Sequence, residues 1–214
     1  MTKPQPATLN VPNALTMARL VLAIAVFALM VFKLFIPALV VFIIAASTDW
    51  VDGYWARKFD QVTQFGRIFD PFVDKFIICG VFILLAAEEF SGVFGWMAVV
   101  IVARELLVTA LRAYIEEQGG DFSAKMAGKL KMVFQCVAAG ASLLALNYSY
   151  YGQPEGVYQY PDVFWFGVWC EPGWLYGLLI ASVWLSVIST VQSGLGYVMA
   201  ASKILSGKTA EDDA

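Results

Sequence analysis

The sequence predicts an all-α polytopic membrane protein with six transmembrane helices and both termini in the cytoplasm. Of its 214 residues, 60% are hydrophobic and only 14% are charged, whereas soluble domains carry about 25% charged residues. The mean hydropathy is +0.70, and long apolar runs recur along the chain. A soluble domain of this size covers its core with charged residues, and this sequence has too few of them to do so.

Three of the predicted helices lie in the N-terminal part of the chain. A transmembrane helix needs about 20 mostly apolar residues. The first such run spans 14–32 and ends at Lys33, and the second spans 34–54, so a tight turn joins these two helices. The third run spans 68–87. The polar segment 58–65 before it can reverse the chain, which predicts that the second and third helices are antiparallel.

The remaining three predicted helices lie in the C-terminal part of the chain, at 92–115, 126–147 and 174–201. The long segment 148–173 is rich in tyrosine and tryptophan, and these side chains favour the headgroup layer of a membrane. We therefore predict that this segment is an interfacial anchor on the outer face. The six runs form one predicted membrane domain over 1–205, and a disordered polar tail over 206–214 follows it.

The basic residues predict the orientation, because Lys and Arg concentrate on the cytoplasmic side of membrane proteins. If the N-terminus is cytoplasmic and six helices alternate, only Lys33 of the 14 basic residues lies on the outer side. The outer segment 148–173 contains no Lys or Arg. The sequence thus predicts a multi-pass protein of the cell's inner membrane with cytoplasmic termini.

The residue types missing from the sequence exclude several kinds of chemistry. The chain has no histidine, which excludes Ser-His-Asp and Cys-His catalysis and imidazole metal sites. Its three cysteines are widely separated, so neither a zinc nor a redox centre is expected. The net charge of −3 is small and no long basic run occurs, so no nucleic-acid partner is expected.

Four aspartates interrupt the apolar sequence at the facing ends of the second and third predicted helices. Asp49 and Asp52 are three residues apart and Asp70 and Asp74 are four apart, so each pair shares one helix face. In antiparallel helices the two pairs face each other across one cavity. Because carboxylates at membrane depth are costly to desolvate, this cluster needs bound protons or cations. Oxygen ligands without His or Cys favour Mg²⁺ or Mn²⁺, and four carboxylates can hold two ions.

Small side chains accompany these aspartates. Gly53 and Ala56 lie on nearly the same side of the helix as the first aspartate pair, so a large anionic ligand can approach the backbone there. For Gly66, close packing of helices through small residues is the alternative explanation. Arg57 follows directly, and its guanidinium can donate two hydrogen bonds to a phosphate.

These residues form one string: Asp49-x2-Asp52-Gly53-x2-Ala56-Arg57-x8-Gly66-x3-Asp70-x3-Asp74. The string resembles the signature of the CDP-alcohol phosphatidyltransferases, with all eight fixed positions and all spacings matching. The resemblance implies a six-helix membrane enzyme, commonly a homodimer, whose active site opens to the cytoplasm. Such an enzyme joins an alcohol to the phosphate of a CDP-linked substrate and releases CMP.

The resemblance also implies a role for each matching residue. It implies that two divalent ions, Mg²⁺ or Mn²⁺, are bound by four ligands: Asp49, Asp52, Asp70 and Asp74. It further implies that Asp74 acts as the general base. The implied contacts to the CDP-linked lipid come from eight residues: Asn13, Thr16, Asp49, Gly53, Ala56, Arg57, Thr63 and Gly66.

Basic residues of the fourth and fifth predicted helices form a second candidate site. Arg104 and Arg112 are eight residues apart, so their helix faces nearly coincide, and further lysines open the fifth helix at the same boundary. Together they predict a cationic pocket beside the aspartates, which suits an acceptor that carries its own phosphate. The predicted acceptor-phosphate ligands are Arg104, Arg112, Lys125 and Lys129.

Other stretches resemble the branch of the family that makes phosphatidylglycerophosphate. They are 9–19, 103–112, 128–135 and 193–197. This resemblance implies that CDP-diacylglycerol is the donor and glycerol 3-phosphate the acceptor. The product is then phosphatidylglycerophosphate, the precursor of phosphatidylglycerol.

Several alternatives remain open at this point. Lys125 and Lys131 are also explained as charges that set the topology, and Glu105 can pair with Arg112 on the same helix. Within the family, the acceptor can instead be inositol phosphate, serine or phosphatidylglycerol. A cation transporter that uses the four aspartates as its ion site is the remoter alternative.

Overall fold

The structure is a computed structural model that describes residues 11–59, 64–117, 126–151, 164–165, 168–169 and 173–205. At several helix ends, including 49–59, 64–68 and 126–129, the description covers the backbone alone. The described residues form six helices: α1 Val11–Val31, α2 Phe35–Phe59, α3 Gln64–Leu85, α4 Gly95–Glu117, α5 Met126–Tyr151 and α6 Gly173–Leu205. Each helix coincides with one of the six apolar runs in the sequence.

The helices pack in a closed ring. Around it, α1 contacts α2, α2 contacts α5, α5 contacts α6, α6 contacts α4, α4 contacts α3, and α3 returns to α1. A further contact between α3 and α5 crosses the middle of the ring. Helices that are distant in sequence, such as α2 and α5, thereby become neighbours, and α3 lies against three partners.

Two turns lie together at one end of the ring. Lys33, in the turn between α1 and α2, has a positive φ of 62°, which lets the chain reverse within three residues. The turn between α3 and α4 contains Ser91, whose Oγ accepts a hydrogen bond from the Val93 backbone N–H at 3.1 Å. Lys33 Nζ donates to a carboxylate oxygen of Glu88, and this ion pair ties the two turns to each other.

Close packing of α1 against α3 depends on one small residue. Gly80 of α3 lies directly under the ring of Phe27, and a Cβ added at Gly80 would overlap that ring. The Phe27 ring also packs edge-on against Phe76 with centroids 5.3 Å apart. This close approach fixes how α1 and α3 lie beside each other, and both helices carry site residues farther along.

Apolar side chains cover both the inside and the outside of the ring. Residues such as Val26, Phe42 and Met97 are buried in the core, whereas Val21 and Val99 are about two-thirds exposed. A helix that is apolar all round is typical of a membrane span. The chain is therefore an all-α membrane protein, as the sequence predicts.

By length and composition, three stretches of the described residues can cross a membrane: Asn13–Val31, Leu130–Asn147 and Gly177–Met199. The apolar stretch Phe35–Thr48 of α2 is shorter within the part of the chain whose side chains are described. The expectation of six spans with cytoplasmic termini stays a prediction.

A short two-stranded ladder lies between α5 and α6, where the sequence predicts only an aromatic outer segment. Strands β1 (Phe164–Trp165) and β2 (Val168–Trp169) pair antiparallel, with Phe164 opposite Trp169. Aromatic and β-branched residues favour extended backbone, which explains the ladder. The rest of that connection and the tail 206–214 lie outside the described residues.

Candidate functional site

Two polar side chains of α1 hold the two aspartates of α3. The Thr16 hydroxyl donates a hydrogen bond to Oδ1 of Asp70, and Nη1 of Arg19 donates to Oδ1 of Asp74 over 2.6 Å. Thr16 and Arg19 are one turn apart on α1, as the aspartates are on α3, so the two contacts are successive rungs between the helices. The Arg19 side chain is 1% exposed and that of Asp74 is 28% exposed. The Arg19 guanidinium is therefore buried, whereas the Asp74 carboxylate remains partly accessible.

Asn13 precedes this arrangement by one turn. It is buried, like Thr16 and Arg19, and the spacing of three residues places all three on one face of α1. This polar face begins a helix whose other residues are almost all apolar. Of the residues expected to contact the CDP-linked lipid, the structure thus places Thr16 against an α3 aspartate and Asn13 on the same face of α1, one turn earlier.

The remaining residues of the predicted signature lie where side chains are not described. The α2 backbone carries Asp49, Asp52, Gly53, Ala56 and Arg57, and Gly66 lies in the first turn of α3. The side chains of these residues, and Thr63 as a whole, lie outside the described residues. The backbone shows that α2 ends at Phe59 and α3 begins at Gln64, so both aspartate pairs lie near the same connection.

Within the described part of the chain, no group of three or more acidic or thiol side chains is placed to hold a metal ion. Asp70 and Asp74 are the two described members of the predicted ligand set. Their oxygens are the hard donors that Mg²⁺ and Mn²⁺ prefer.

A cavity of about 280 Å³ lies beside Asp74, enclosed by α3, α4, α5 and α6. Its polar lining includes four cationic and two acidic side chains among the described residues: Lys75, Arg104, Arg112, Lys131, Asp74 and Glu105. The cations therefore exceed the carboxylates by two. Pro71, Thr109, Gln135 and Tyr197 complete much of the remaining wall. An excess of positive charge in a partly buried cavity favours an anionic ligand.

A buried ion network forms the wall of this cavity between α4 and α5. Lys131 Nζ donates to Oε1 of Glu105, and Nη1 of Arg104 lies 3.3 and 3.4 Å from the two Glu105 oxygens. All three side chains are at least nine-tenths buried. Buried charges of this kind are stable only when they are paired, and Glu105 supplies the pairing.

Helix α6 holds the two arginines from the other side. Nη2 of Arg104 donates to Ser193 Oγ over 2.5 Å, and the Arg104 guanidinium lies 5.5 Å from the centre of the Tyr197 ring. Nη2 of Arg112 contacts the Tyr197 hydroxyl at 3.5 Å. The Nε atoms of both arginines are buried, and neither has a hydrogen-bond partner within the described residues. The two guanidinium groups are therefore only partly satisfied by the described residues.

The lysine next to Asp74 is held by α4. Lys75 Nζ donates to the hydroxyl of Thr109, and that hydroxyl donates in turn to the Glu105 backbone carbonyl over 2.6 Å. This contact directs Lys75 into the cavity wall rather than towards lipid. The cavity thus joins the acidic end of α3 to a cluster of cations on α3, α4 and α5.

The structure brings together three of the residues that the sequence predicts for the site, namely Asp74, Arg104 and Arg112, around one cavity. Lys125 lies outside the described residues, as does the side chain of Lys129. The suggested pairing of Glu105 with Arg112 is replaced, because Glu105 contacts Lys131 and Arg104 instead.

Sequence reasoning missed several residues of the site. The predicted cationic pocket includes the lysines that open the fifth helix, Lys131 among them, but Lys131 is not one of the predicted phosphate ligands, and Arg19 has no predicted role in the site. Lys75, Thr109 and Tyr197 were not singled out. Two stretches that resemble one branch of the family could have pointed to some of these residues. They are 9–19, which contains Arg19, and 193–197, which contains Tyr197.

Chemically, the site can bind an anion between guanidinium and ammonium groups while presenting a carboxylate at its edge. Arginine and lysine together suit a phosphate, since both donate charge-assisted hydrogen bonds. Asp74 lines the cavity and is also one of the two α3 aspartates held by α1. A hydroxyl group on the bound anion can therefore lie near a carboxylate that accepts its proton.

Comparison with known proteins agrees with this geometry. The model of the family described as CDP-alcohol phosphatidyltransferase matches residues 9–192. Three relatives carry the name CDP-diacylglycerol–glycerol-3-phosphate 3-phosphatidyltransferase. The one from Bacillus subtilis (strain 168) is 37% identical over 151 residues, which are 63% of this chain and 77% of the relative.

The relative from Haemophilus influenzae is 33% identical over 144 residues, covering 64% of this chain and 77% of the relative. The relative from Escherichia coli (strain K12) is 35% identical over 134 residues, covering 60% of this chain and 74% of the relative. The family resemblance carried by the aspartate string is thereby confirmed.

Proposed function

We propose that this chain, which belongs to the CDP-alcohol phosphatidyltransferase family, uses glycerol 3-phosphate as its acceptor. In this reaction the phosphatidyl group of CDP-diacylglycerol is transferred to glycerol 3-phosphate. The products are phosphatidylglycerophosphate and CMP, and the reaction belongs to phospholipid biosynthesis. Membership in a transferase family argues against the alternative of a cation transporter.

The observation that carries the choice of acceptor is the cationic cavity beside Asp74. Four cations against two carboxylates suit an acceptor that brings a phosphate, and serine does not bring one. Inositol phosphate shares that group, so the cavity alone does not separate it from glycerol 3-phosphate. The names of the three relatives favour glycerol 3-phosphate.

For the acceptor, we assign phosphate binding to Arg104, Arg112, Lys125 and Lys129. The first two line the cavity, and each has a buried Nε without a partner among the described residues. Asp74 is the proposed general base, because it lines the same cavity and is more than one-quarter exposed. In this role it takes the proton of the acceptor hydroxyl that attacks the phosphorus atom.

For the donor, we propose two divalent ions, Mg²⁺ or Mn²⁺, bound by Asp49, Asp52, Asp70 and Asp74. The donor set fits these ions, since it consists of carboxylate oxygens in a chain without histidine. When bound, such ions neutralise a diphosphate and stabilise the departing CMP. The residues proposed to contact the CDP-lipid are Asn13, Thr16, Asp49, Gly53, Ala56, Arg57, Thr63 and Gly66.

We further propose six membrane spans with cytoplasmic termini, in the inner membrane, and a homodimer as the assembly. The ring of six helices and the distribution of Lys and Arg support this topology. Lys33 and Glu88 mark the outer end, and the connection between α2 and α3 marks the cytoplasmic end. The active site then opens to the cytoplasm, where glycerol 3-phosphate is dissolved.

The test is an acceptor panel with the purified protein in detergent and radiolabelled CDP-diacylglycerol. Glycerol 3-phosphate, inositol phosphate, serine and phosphatidylglycerol are supplied separately, and chromatography identifies the lipid product. We expect phosphatidylglycerophosphate and an equal amount of CMP with glycerol 3-phosphate. A faster reaction with another acceptor would replace the assignment.

The same assay tests the proposed ions. Chelation with EDTA should abolish CMP release, and added Mg²⁺ or Mn²⁺ should restore it. Full activity after exhaustive chelation would contradict the proposed metal site while leaving the acceptor assignment to the panel.

A further inference from the structure

Glu105 is a buried acid to which the proposed reaction gives no task. Its side chain is 6% exposed and lies in the wall of the cationic cavity. Its carboxylate accepts a hydrogen bond from Lys131 of α5 and lies 3.3 Å from Nη1 of Arg104 on its own helix. It is therefore the acidic partner of two of the four cations that line the cavity.

The cationic side chains of the cavity differ in the number of contacts that hold them in place. Arg104 is also held by Ser193 and by the Tyr197 ring, and Arg112 contacts the Tyr197 hydroxyl. For Lys131, whose side chain is 8% exposed, the hydrogen-bond partner among the described residues is Glu105. An ammonium group on a flexible four-carbon stem has many conformations, so its place in the wall depends on this carboxylate.

We propose that Glu105 is a positioning residue for the phosphate-bearing acceptor: it holds the Lys131 ammonium at a fixed place in the cavity wall. This inference rests on the proposed function, because the acceptor phosphate is the ligand that the ammonium meets. Binding to cations that are already ordered loses less conformational freedom than binding to mobile ones. Glu105 itself does not touch the reacting atoms.

Two electrostatic effects of Glu105 on anion binding oppose each other. Its negative charge reduces the attraction of the cavity for an anion, whereas its hydrogen bond fixes Lys131. Because cations that face one another in a buried space repel, removal of the carboxylate drives Lys131 away from the cluster. The loss of a fixed hydrogen-bond donor then weakens acceptor binding more than the gain in net positive charge strengthens it.

The first test is Glu105→Gln, which keeps the size of the side chain and removes its charge. We expect the KM for glycerol 3-phosphate to rise at least fivefold, with kcat and the KM for CDP-diacylglycerol within twofold of the unaltered protein. Glu89→Gln is the matched control, since Glu89 is an exposed acid at the outer end. An unchanged or lower acceptor KM in Glu105→Gln overturns the proposal.

The second test asks whether Glu105 acts through Lys131, using Lys131→Met and the double variant. If it does, Glu105→Gln raises the acceptor KM much less in the Lys131→Met background than in the unaltered protein. Equal fold-changes in both backgrounds overturn the proposal. The double variant buries neither charge, so it serves if Glu105→Gln alone fails to fold. Acceptor KM values of Lys131→Met and the double variant that match each other and exceed that of the unaltered protein support the proposal. Unequal values, or an unaltered KM in Lys131→Met, overturn it.

A binding measurement separates this inference from the proposed function. Glycerol 3-phosphate should raise the thermal unfolding temperature of the purified protein in detergent without any turnover, and this rise should shrink in Glu105→Gln. If the unaltered protein makes no phosphatidylglycerophosphate, the proposed function fails. If the unaltered protein makes the product and glycerol 3-phosphate stabilises Glu105→Gln as strongly as the unaltered protein, only the proposed role of Glu105 fails.

Discussion

Nη1 of Arg19 lies 2.6 Å from Oδ1 of Asp74, and this contact joins the first helix to the third at the edge of the cavity. The guanidinium is buried, whereas the carboxylate is partly exposed. One turn earlier, Thr16 donates to Asp70. A helix without a single acidic residue thus orients both described aspartates of the site.

Replacing Arg19 by Gln should lower the stability of the protein by about 2 kcal/mol, the scale of a hydrogen bond to a charged group. The amide cannot neutralise Asp74, which then faces the interior without that countercharge. Thermal unfolding of the purified variant in detergent measures the loss.

Lys33→Gln is the matched control for this prediction. Lys33 also forms an ion pair with a glutamate of the α3–α4 turn, but its side chain is 36% exposed. Exposed pairs contribute less than about 1 kcal/mol, so this variant should unfold close to the unaltered protein. Equal losses of stability in the two variants would mean that the pair formed by the buried Arg19 contributes no more than the exposed pair formed by Lys33.

Asp74→Asn should reduce turnover at least about 100-fold, the lower range for loss of a general base. An amide oxygen hardly accepts a proton, while the shape of the side chain is kept. CMP release measures the rate, and gel filtration in detergent checks that the protein stays folded. A folded variant with a near-normal rate would remove Asp74 from the role of base.

Arg112→Ala should raise the KM for glycerol 3-phosphate by a factor of about ten, the effect of losing about 1.4 kcal/mol of binding. The KM for CDP-diacylglycerol should change much less, because Arg112 lines the cavity on α4 and not the α1–α3 contact. We expect the same direction for Lys129→Ala. Steady-state kinetics with each substrate varied in turn measures both constants.

Lys33→Gln again serves as the control, because it removes a positive charge at the opposite end of the helices. Its acceptor KM should match that of the unaltered protein. A change of equal size in both KM values of Arg112→Ala would count against a separate pocket for the acceptor phosphate.

Gly194→Ala should raise the acceptor KM about two- to fivefold, a loss of up to about 1 kcal/mol. A Cβ at Gly194 would lie 3.1 Å from Cγ of Arg104, so Arg104 must shift, although Ser193 and Glu105 hold its guanidinium. The kinetic assay with glycerol 3-phosphate varied detects this displacement.

Gly196→Ala provides a close comparison on the same helix. An added Cβ at Gly196 meets no atom within 4 Å. Both substitutions gain about 1 kcal/mol of helix propensity, so this effect cancels between them. If Gly196→Ala changes the acceptor KM as much as Gly194→Ala does, the contact with Arg104 is not the cause.

The sequence predicts the existence of the helices better than their ends. The second apolar run stops near residue 54, yet α2 continues to Phe59. The third run starts near 68, yet α3 begins at Gln64. Hydropathy measures the preference of side chains for lipid, whereas a helix continues wherever its backbone hydrogen bonds do. The helix ends that differ are polar, and they flank the aspartates.

Contacts within the site are predictable only where one helix supplies both partners or a family pattern marks them. The shared face of Arg104 and Arg112 follows from their spacing. The pairing of Glu105 with Lys131 does not, because these residues are 26 positions apart on different helices and Arg112 is an equally good partner by charge. Only the packing of α3, α4 and α5 decides between the two.

The pair between Arg19 and Asp74 also constrains how the protein is made. The two residues are 55 positions apart, so a ribosome has produced Arg19 well before Asp74 exists. Placing an arginine inside a lipid bilayer costs up to about 3 kcal/mol, and the carboxylate that offsets this cost arrives with a later helix. We therefore expect the first helix to reach its final place in the membrane only when the third has joined it, so that membrane entry and assembly of the proposed active site depend on each other.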